Sequence, residues 1–228
     1  MHLACTAYLT HMHTGDRSAE AIDAGGVLPG YQGVIVRDGY AGYGHLTGAL
    51  HAWCGVHLLR DLKGLYDFEP AQQHWACAMA SLLAGARDAA AAARLAGQSS
   101  LDTAVLEDLI TPYRALAATG VAANLYRRTA TAMDARRFLC FEDLILRFAT
   151  RPDLDIFSNN EAERTIRPVK IRQRSSGGSW RTLQGLADFA LVQSYLSTAA
   201  KWGISKPDAL RGLFNGHAWL PPGLEPAG

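Results

Sequence analysis

Two acidic residues of this 228-residue chain are placed to do chemistry: Asp38, which closes the run Gly33-Val-Ile-Val-Arg-Asp38, and Glu163, in Asn159-Asn-Glu-Ala-Glu163-Arg. Val34, Ile35 and Val36 form a short continuous apolar run, as expected of a strand buried on both faces. A turn through Gly39-Tyr40-Ala41-Gly42-Tyr43 follows. Asp38 is therefore expected where a central strand runs out, a common position for functional groups in open α/β sheets. Glu163 is expected near the start of a helix capped by Asn159 or Asn160. A strand-end Asp and a helical Glu suit metal-assisted attack on a phosphodiester. Hard cations such as Mg²⁺ prefer carboxylate oxygens; one metal activates the attacking hydroxyl and a second stabilises the leaving oxygen. Spacing alone does not show that the two carboxylates meet. The plain alternatives are an Asp that caps a turn and a Glu paired with Arg167 one helical turn on.

The charge pattern bears on the same chemistry. Net charge is only +1, which as an average argues weakly against a nucleic-acid binder. Between positions 164 and 181, however, stand Arg164, Arg167, Lys170, Arg172, Arg174 and Arg181, with no acid among them. DNA binding needs local positive charge, not a basic average, and such a run beside a metal site would hold the phosphate backbone; the alternative is a solvated loop. Trp180, next to Arg181, would stack on a base or be buried. Cys54-Gly-Val-His57, with His51 nearby, is half of a zinc pattern. No second close pair follows, so zinc is not expected. Packing explains Cys54 and His57 equally well, and His57 with Arg60 and Arg37 are candidates for the phosphate side of a site.

The elements that must position these residues are mixed. Residues 3–13 read as one or two strands. Ser18 can cap a short helix over 19–24 that ends at Gly25-Gly26. Helical patterns run from about His51 to Tyr66, over the alanine-rich stretch 70–97 as one helix or two, over Leu101–Leu116, and over Thr129–Phe148. Gly97-Gln-Ser-Ser100 and Thr119-Gly120 read as breaks. Pro168 is expected to limit or kink the Glu163 helix. Ser175-Ser-Gly-Gly-Ser179 reads as a flexible loop. Leu186, Phe189, Val192, Leu196 and Ala199 mark an amphipathic helix, and Ser205-Lys-Pro-Asp208 a capping box that opens the last one. The composition, 49% hydrophobic and 19% charged, permits a packed core. No apolar run is long enough for a membrane span, and no signal peptide precedes the first strand. The scattered Cys5, Cys54, Cys77 and Cys140 fit a reducing cytoplasm.

Taken in order, Val36-Arg-Asp38-Gly-Tyr-Ala-Gly-Tyr43, Ala52-Trp-Cys-Gly-Val-His57-Leu-Leu-Arg60, Asn159-Asn-Glu-Ala-Glu163-Arg-Thr-Ile-Arg-Pro168, Ser176-Gly-Gly-Ser-Trp-Arg-Thr182 and Gln193-Ser-Tyr-Leu-Ser-Thr198 resemble the insertion-sequence-66 class of bacterial DDE transposases. Each motif is weak alone; the ordered set is specific and covers about Leu3 to Leu220. The resemblance implies a ribonuclease-H-like α/β fold with a large, mostly helical insertion. It also implies an Asp-Asp-Glu site for Mg²⁺ or Mn²⁺, with Asp38 as the second Asp and Glu163 as the Glu. Ser158 stands where the family usually has Asp. The family's first Asp lies on a strand upstream of the one Leu3–Tyr8 matches, and Asp16, Glu20 and Asp23 are not at strand ends. These residues are thus expected to hold two of three carboxylates and to form the C-terminal part of a transposase catalytic region.

On this reading residues 1–66 are the first part of the catalytic core, 67–150 the helical insertion, 151–216 the second part with the Glu-bearing helix, and 217–228 an irregular tail. DNA, at element ends and target, and other transposase subunits are the expected partners. By family the chain is a DNA cleaving and joining enzyme. Alone it is expected neither to cleave nor to join DNA, and the sequence leaves open a non-catalytic DNA-binding or assembly role.

Overall fold

The computed structural model describes residues 1–125, 130–175, 180 and 182–223, with side chains given for all of these but 130–133 and 172–175. The chain divides into two compact units. One is built from residues 1–31, 41–48 and 160 onward, the other from residues 32–40 and 49–159. Among the described residues no helix is long and apolar enough to cross a membrane.

The first unit opens with an antiparallel hairpin, β1 (His2–Cys5) and β2 (Thr10–His13), in which His2 faces His13 and Cys5 faces Thr10. Helix α1 (Ala19–Asp23) is capped as its sequence predicts: the Ser18 hydroxyl accepts from the Ala21 amide, and the chain leaves through Gly26 at φ +72°. The remaining helices of the unit come from the C-terminal third: the Glu163-bearing helix Asn160–Ser175, the helix Leu183–Lys201, and the helix Lys206–Phe214, whose Ser205 cap accepts from the Asp208 amide.

Helix Leu183–Lys201 serves the hairpin in two ways. Ala190 buries its methyl with Met12 and Val169, with Leu3, Ile166 and Phe189 packed around them. Its hydroxyls also complete β2: the Thr10 amide donates to Thr198 Oγ1 at 3.1 Å and the Met12 amide to Ser194 Oγ at 2.8 Å. A backbone donor at a strand edge must find an acceptor, and here the quoted Gln193–Thr198 motif supplies two.

The second unit holds a parallel pair, β3 (Val34–Arg37) and β4 (Leu50–Trp53), with Arg37 beside Trp53. Helix α2 (Gly55–Phe68) follows, then α3 (His74–Leu95) and α4 (Thr103–Ala123). Three shorter helices complete it: α5 (Ala130–Cys140), α6 (Glu142–Ile145) and α7 (Arg147–Thr150). In chain order the Glu163 helix is α8 and the helix Leu183–Lys201 is α9. Leu58, Leu62 and Leu65 recur at helical steps on α2 and meet Trp75, Met79, Leu83, Ala86 and Ala90 of α3. Burying side chains of this size stabilises by about 1.5–3 kcal/mol each. Gln73 and Asn124, both buried, bond each other across the unit, and Trp75 Nε1 donates to Gln73 Oε1 at 2.6 Å.

Five local expectations are corrected. Residues 50–53, expected partly in a helix, form strand β4, and the helix begins only at Gly55. Thr119-Gly120 is no break: α4 runs through it, because the bare Gly120 backbone lets the Trp75 ring lie where a Cβ would be 2.7 Å from Cδ2. The single helix expected over 129–148 is, among the described residues, three short ones, Ala130–Cys140, Glu142–Ile145 and Arg147–Thr150. Pro168 lies inside α8, on its exposed side, where water can meet the carbonyl of Arg164 that proline leaves without a donor. Finally β3 is half-buried along its length, since Val34 and Val36 pack on the core from one side only. Residues 176–179 of the expected loop lie outside the described residues.

Candidate functional site

In the second unit β3 and β4 end side by side, and both chain exits feed one cleft. Asp38 follows β3. Cys54 follows β4 and is the N-cap of α2. The cleft, about 270 Å³, is lined by Asp38, Gly39, Tyr40, Trp53, Cys54, His57, Leu58, Asp61 and Arg137. The carboxyl end of adjacent parallel strands is where open α/β sheets place ligands, and the fold puts the sequence's first candidate there.

The loop after β3 is fixed from both sides. The Tyr40 amide donates to Asp38 Oδ1 at 3.1 Å, so one carboxylate oxygen closes a local turn. Asp38 is otherwise exposed. Arg37 Nη1 donates to the carbonyls of Asp38 at 3.2 Å and Tyr40 at 2.7 Å, and its Nε donates to His51 Nδ1 at 3.1 Å. Arg37, a candidate for the phosphate side, thus holds the loop that presents Asp38.

Cys54 and His57 have separable roles. The Cys54 thiol is buried, and its Sγ accepts from the Asn159 amide at 3.5 Å. The Gly55 amide donates to the Phe157 carbonyl at 2.7 Å, and a Cβ at Gly55 would stand 2.3 Å from the Phe157 ring. Cys54-Gly55 therefore pins the segment 157–159 that leads to the Asn-Asn-Glu motif. His57, half-buried on α2, lines the cleft; Arg60, exposed on the same helix, does not. Among the described residues no three His, Cys, Asp or Glu side chains stand together in a metal-holding arrangement.

Two cleft residues were not singled out from the sequence. Asp61 of α2 accepts from Arg137 Nη2 of α5 at 2.9 Å, and Arg137 Nη1 reaches Asp134 at 3.1 Å. The same guanidinium lies over the Trp53 ring, 5.4 Å from its centroid. Burial raises the Asp134 carboxyl above its ordinary range against the pull of Arg137. Nothing in a single sequence pairs position 61 with 137; only the folded chain, in which α5 packs on α4 and its Arg137 reaches Asp61 of α2, does.

Glu163 belongs to the other unit, in the first turn of α8 with Glu161. Carboxylates are stabilised there by the amide end of the helix. Glu161 lies 3.5 Å from the Lys201 ammonium. Ile166 and Val169 turn the apolar side of α8 to the hairpin, while Arg164, Arg167 and Lys170, at three-residue steps, are exposed. The side chains of Arg172 and Arg174, and all of Arg181, lie outside the described residues. Trp180 is half-buried and packs on Phe189, ring centroids 4.7 Å apart.

A family model described as Transposase IS66 family matches residues 1–187. The chain belongs to the IS66 transposase family. No curated protein and no solved structure matches it. For an IS66-family chain a role in DNA transposition follows, and DNA is the macromolecule such a family handles. The IS66 match spans the Asp38 cleft and the Glu163 helix alike, and ends early in α9.

Proposed function

We propose that this IS66-family chain contributes a ribonuclease-H-like catalytic region that cleaves and joins DNA with divalent metal, with Asp38 and Glu163 as two of its carboxylate ligands. The carrying observation is the position of Asp38, an exposed carboxylate in an open cleft at the carboxyl end of β3 and β4, inside the family match. Its donor chemistry fits a hard cation, since a carboxylate oxygen at an open cleft is what Mg²⁺ or Mn²⁺ takes. When bound, the metal would supply activation of the attacking hydroxyl and charge neutralisation at the phosphate.

The chain's own residues do the rest. The Tyr40 amide holds the Asp38 carboxylate and Arg37 holds the backbone of its loop, so that ordering the carboxylate costs little on binding. Arg164, Arg167 and Lys170 offer exposed charge on α8 to backbone phosphates without reading sequence. His57 faces the cleft from α2 and is placed to meet a phosphate oxygen there.

Mn²⁺ binding to the purified chain, followed by electron paramagnetic resonance, tests the ligand assignment. Asp38→Asn and Glu163→Gln should each weaken it at least several-fold. Binding that neither substitution alters would remove both residues from the site. For the basic helix, duplex-DNA affinity should fall steeply with salt, and Arg167→Glu or Lys170→Glu should flatten that dependence.

A further inference from the structure

We propose that Arg137, carried by the helical segment between the two motif regions, is a DNA-contacting residue of the Asp38 cleft, held in reserve by Asp61 until a phosphodiester arrives. This rests on the reading of the cleft as a DNA-processing site, and it adds a residue from α5 to it.

The cleft needs a fixed positive charge. Asp38 and Asp61 are both in its lining, and two carboxylates repel a phosphodiester. Arg137 is the one Lys or Arg among the described lining residues. It is close to Asp38 in space: a Cβ at Gly39 would lie 3.9 Å from its Nη1. A guanidinium recognises phosphate through paired N–H donors.

Its terminal nitrogens carry the bonds that a phosphate would compete for. Nη2 meets Asp61 and Nη1 meets Asp134, while Nε is buried and out of a phosphate's reach. The Trp53 ring and the Asp134 carboxylate hold the guanidinium plane in place. Asp61, about a third exposed, is the partner a competing phosphate oxygen can displace. The ion pair thus neutralises Arg137 while the cleft is empty of DNA and lets it change partner when DNA enters.

The test uses the whole chain and a short fluorescent duplex, with affinity measured across a salt series. Arg137→Ala should weaken binding and lower the salt slope by about 0.9, the value of one phosphate contact. Arg137→Lys should keep the slope. Asp61→Asn should tighten binding, because it frees the guanidinium from its competitor. A merely structural ion pair predicts something else: both partners' variants lower the melting temperature and neither moves the slope. An Asp61→Asn chain that binds no more tightly than the parent overturns the proposal, as does an Arg137→Lys chain with a reduced slope. Should Arg137→Ala fail to fold, these two variants still decide. The metal reading is separable: Mn²⁺ binding unchanged by Asp38→Asn would remove Asp38 as a ligand and leave the Arg137 result standing.

Discussion

Replacing Gly55 with alanine tests the joint between the cleft and the segment leading to the Asn-Asn-Glu motif. The added methyl would lie 2.3 Å from Cε2 and 2.4 Å from Cζ of Phe157. Carbon atoms rest about 3.5–4.0 Å apart, so ring and helix must part by more than ~1 Å. The ring has little room to yield. It stands edge-on to Phe148, centroids 4.9 Å apart, and beneath the Arg87 guanidinium at 5.7 Å. The Phe157 carbonyl is meanwhile tied to the Gly55 amide itself. Alanine is worth up to about 1 kcal/mol over glycine within a helix, and less at the first position. Overpacking costs roughly 1–3 kcal/mol, so a net loss of about 1–2 kcal/mol is expected, which for a chain of this size is a drop in melting temperature of roughly 2–8 °C. Calorimetry on Gly55→Ala, Phe157→Ala and the double variant decides it. With the ring removed, the glycine substitution should cost nothing further. A Gly55→Ala chain that melts with the parent, or a penalty undiminished without the ring, would refute the argument.

Two more expectations can be checked directly. Tyr113 is fully buried and donates to the Phe138 carbonyl at 2.7 Å, in the last turn of α5 where carbonyls lack helical partners. Tyr113→Phe should therefore destabilise by about 1–3 kcal/mol in denaturant melts; its hydroxyl is also held protonated above the usual tyrosine range, mainly by burial. His45 Nε2 bonds Asp23 at 2.8 Å, and this bond, ahead of that to the Gly42 carbonyl, raises the imidazole above its ordinary 6.5. A raised folded value means that the stabilisation is fully present below 6.5 and is lost as pH rises through the folded value; an NMR titration of His45 should show the upward shift, and Asp23→Asn should remove most of it.

Local signals in the sequence carried local structure well. Ser18 and Ser205 cap the helices they were expected to cap, because an N-cap needs only a hydroxyl three residues from an amide. Val34–Val36 and the glycines after them put Asp38 at the end of a central strand; it does follow a strand, but among the described residues β3 is one of a pair and not a central strand. Strand β4 was hidden because four residues with Ala52 and Trp53 inward continue smoothly into the helical pattern of Leu58 and Leu62. Gly120 looked like a break because only Trp75, far away in sequence, explains why a helix tolerates it. The same limit hid half of the cleft. Asp38 and His57 come with local motifs, whereas Asp61 and Arg137 acquire their meaning from the ion pair that the fold makes between α2 and α5. The ordered motif set identified the family without any of these contacts, since it depends on residue order alone.

The hydroxyls of α9 give the hairpin a direction of growth. In an antiparallel pair alternate amides point outward, and on β2 those of Thr10 and Met12 are already taken by Thr198 and Ser194. A strand arriving on that side would find its donors engaged and a helix in its path. The register turns the Leu3 and Cys5 amides of β1 the opposite way. Any further strand, from this polypeptide or another, must therefore dock beside β1, and a ladder started there extends one way only.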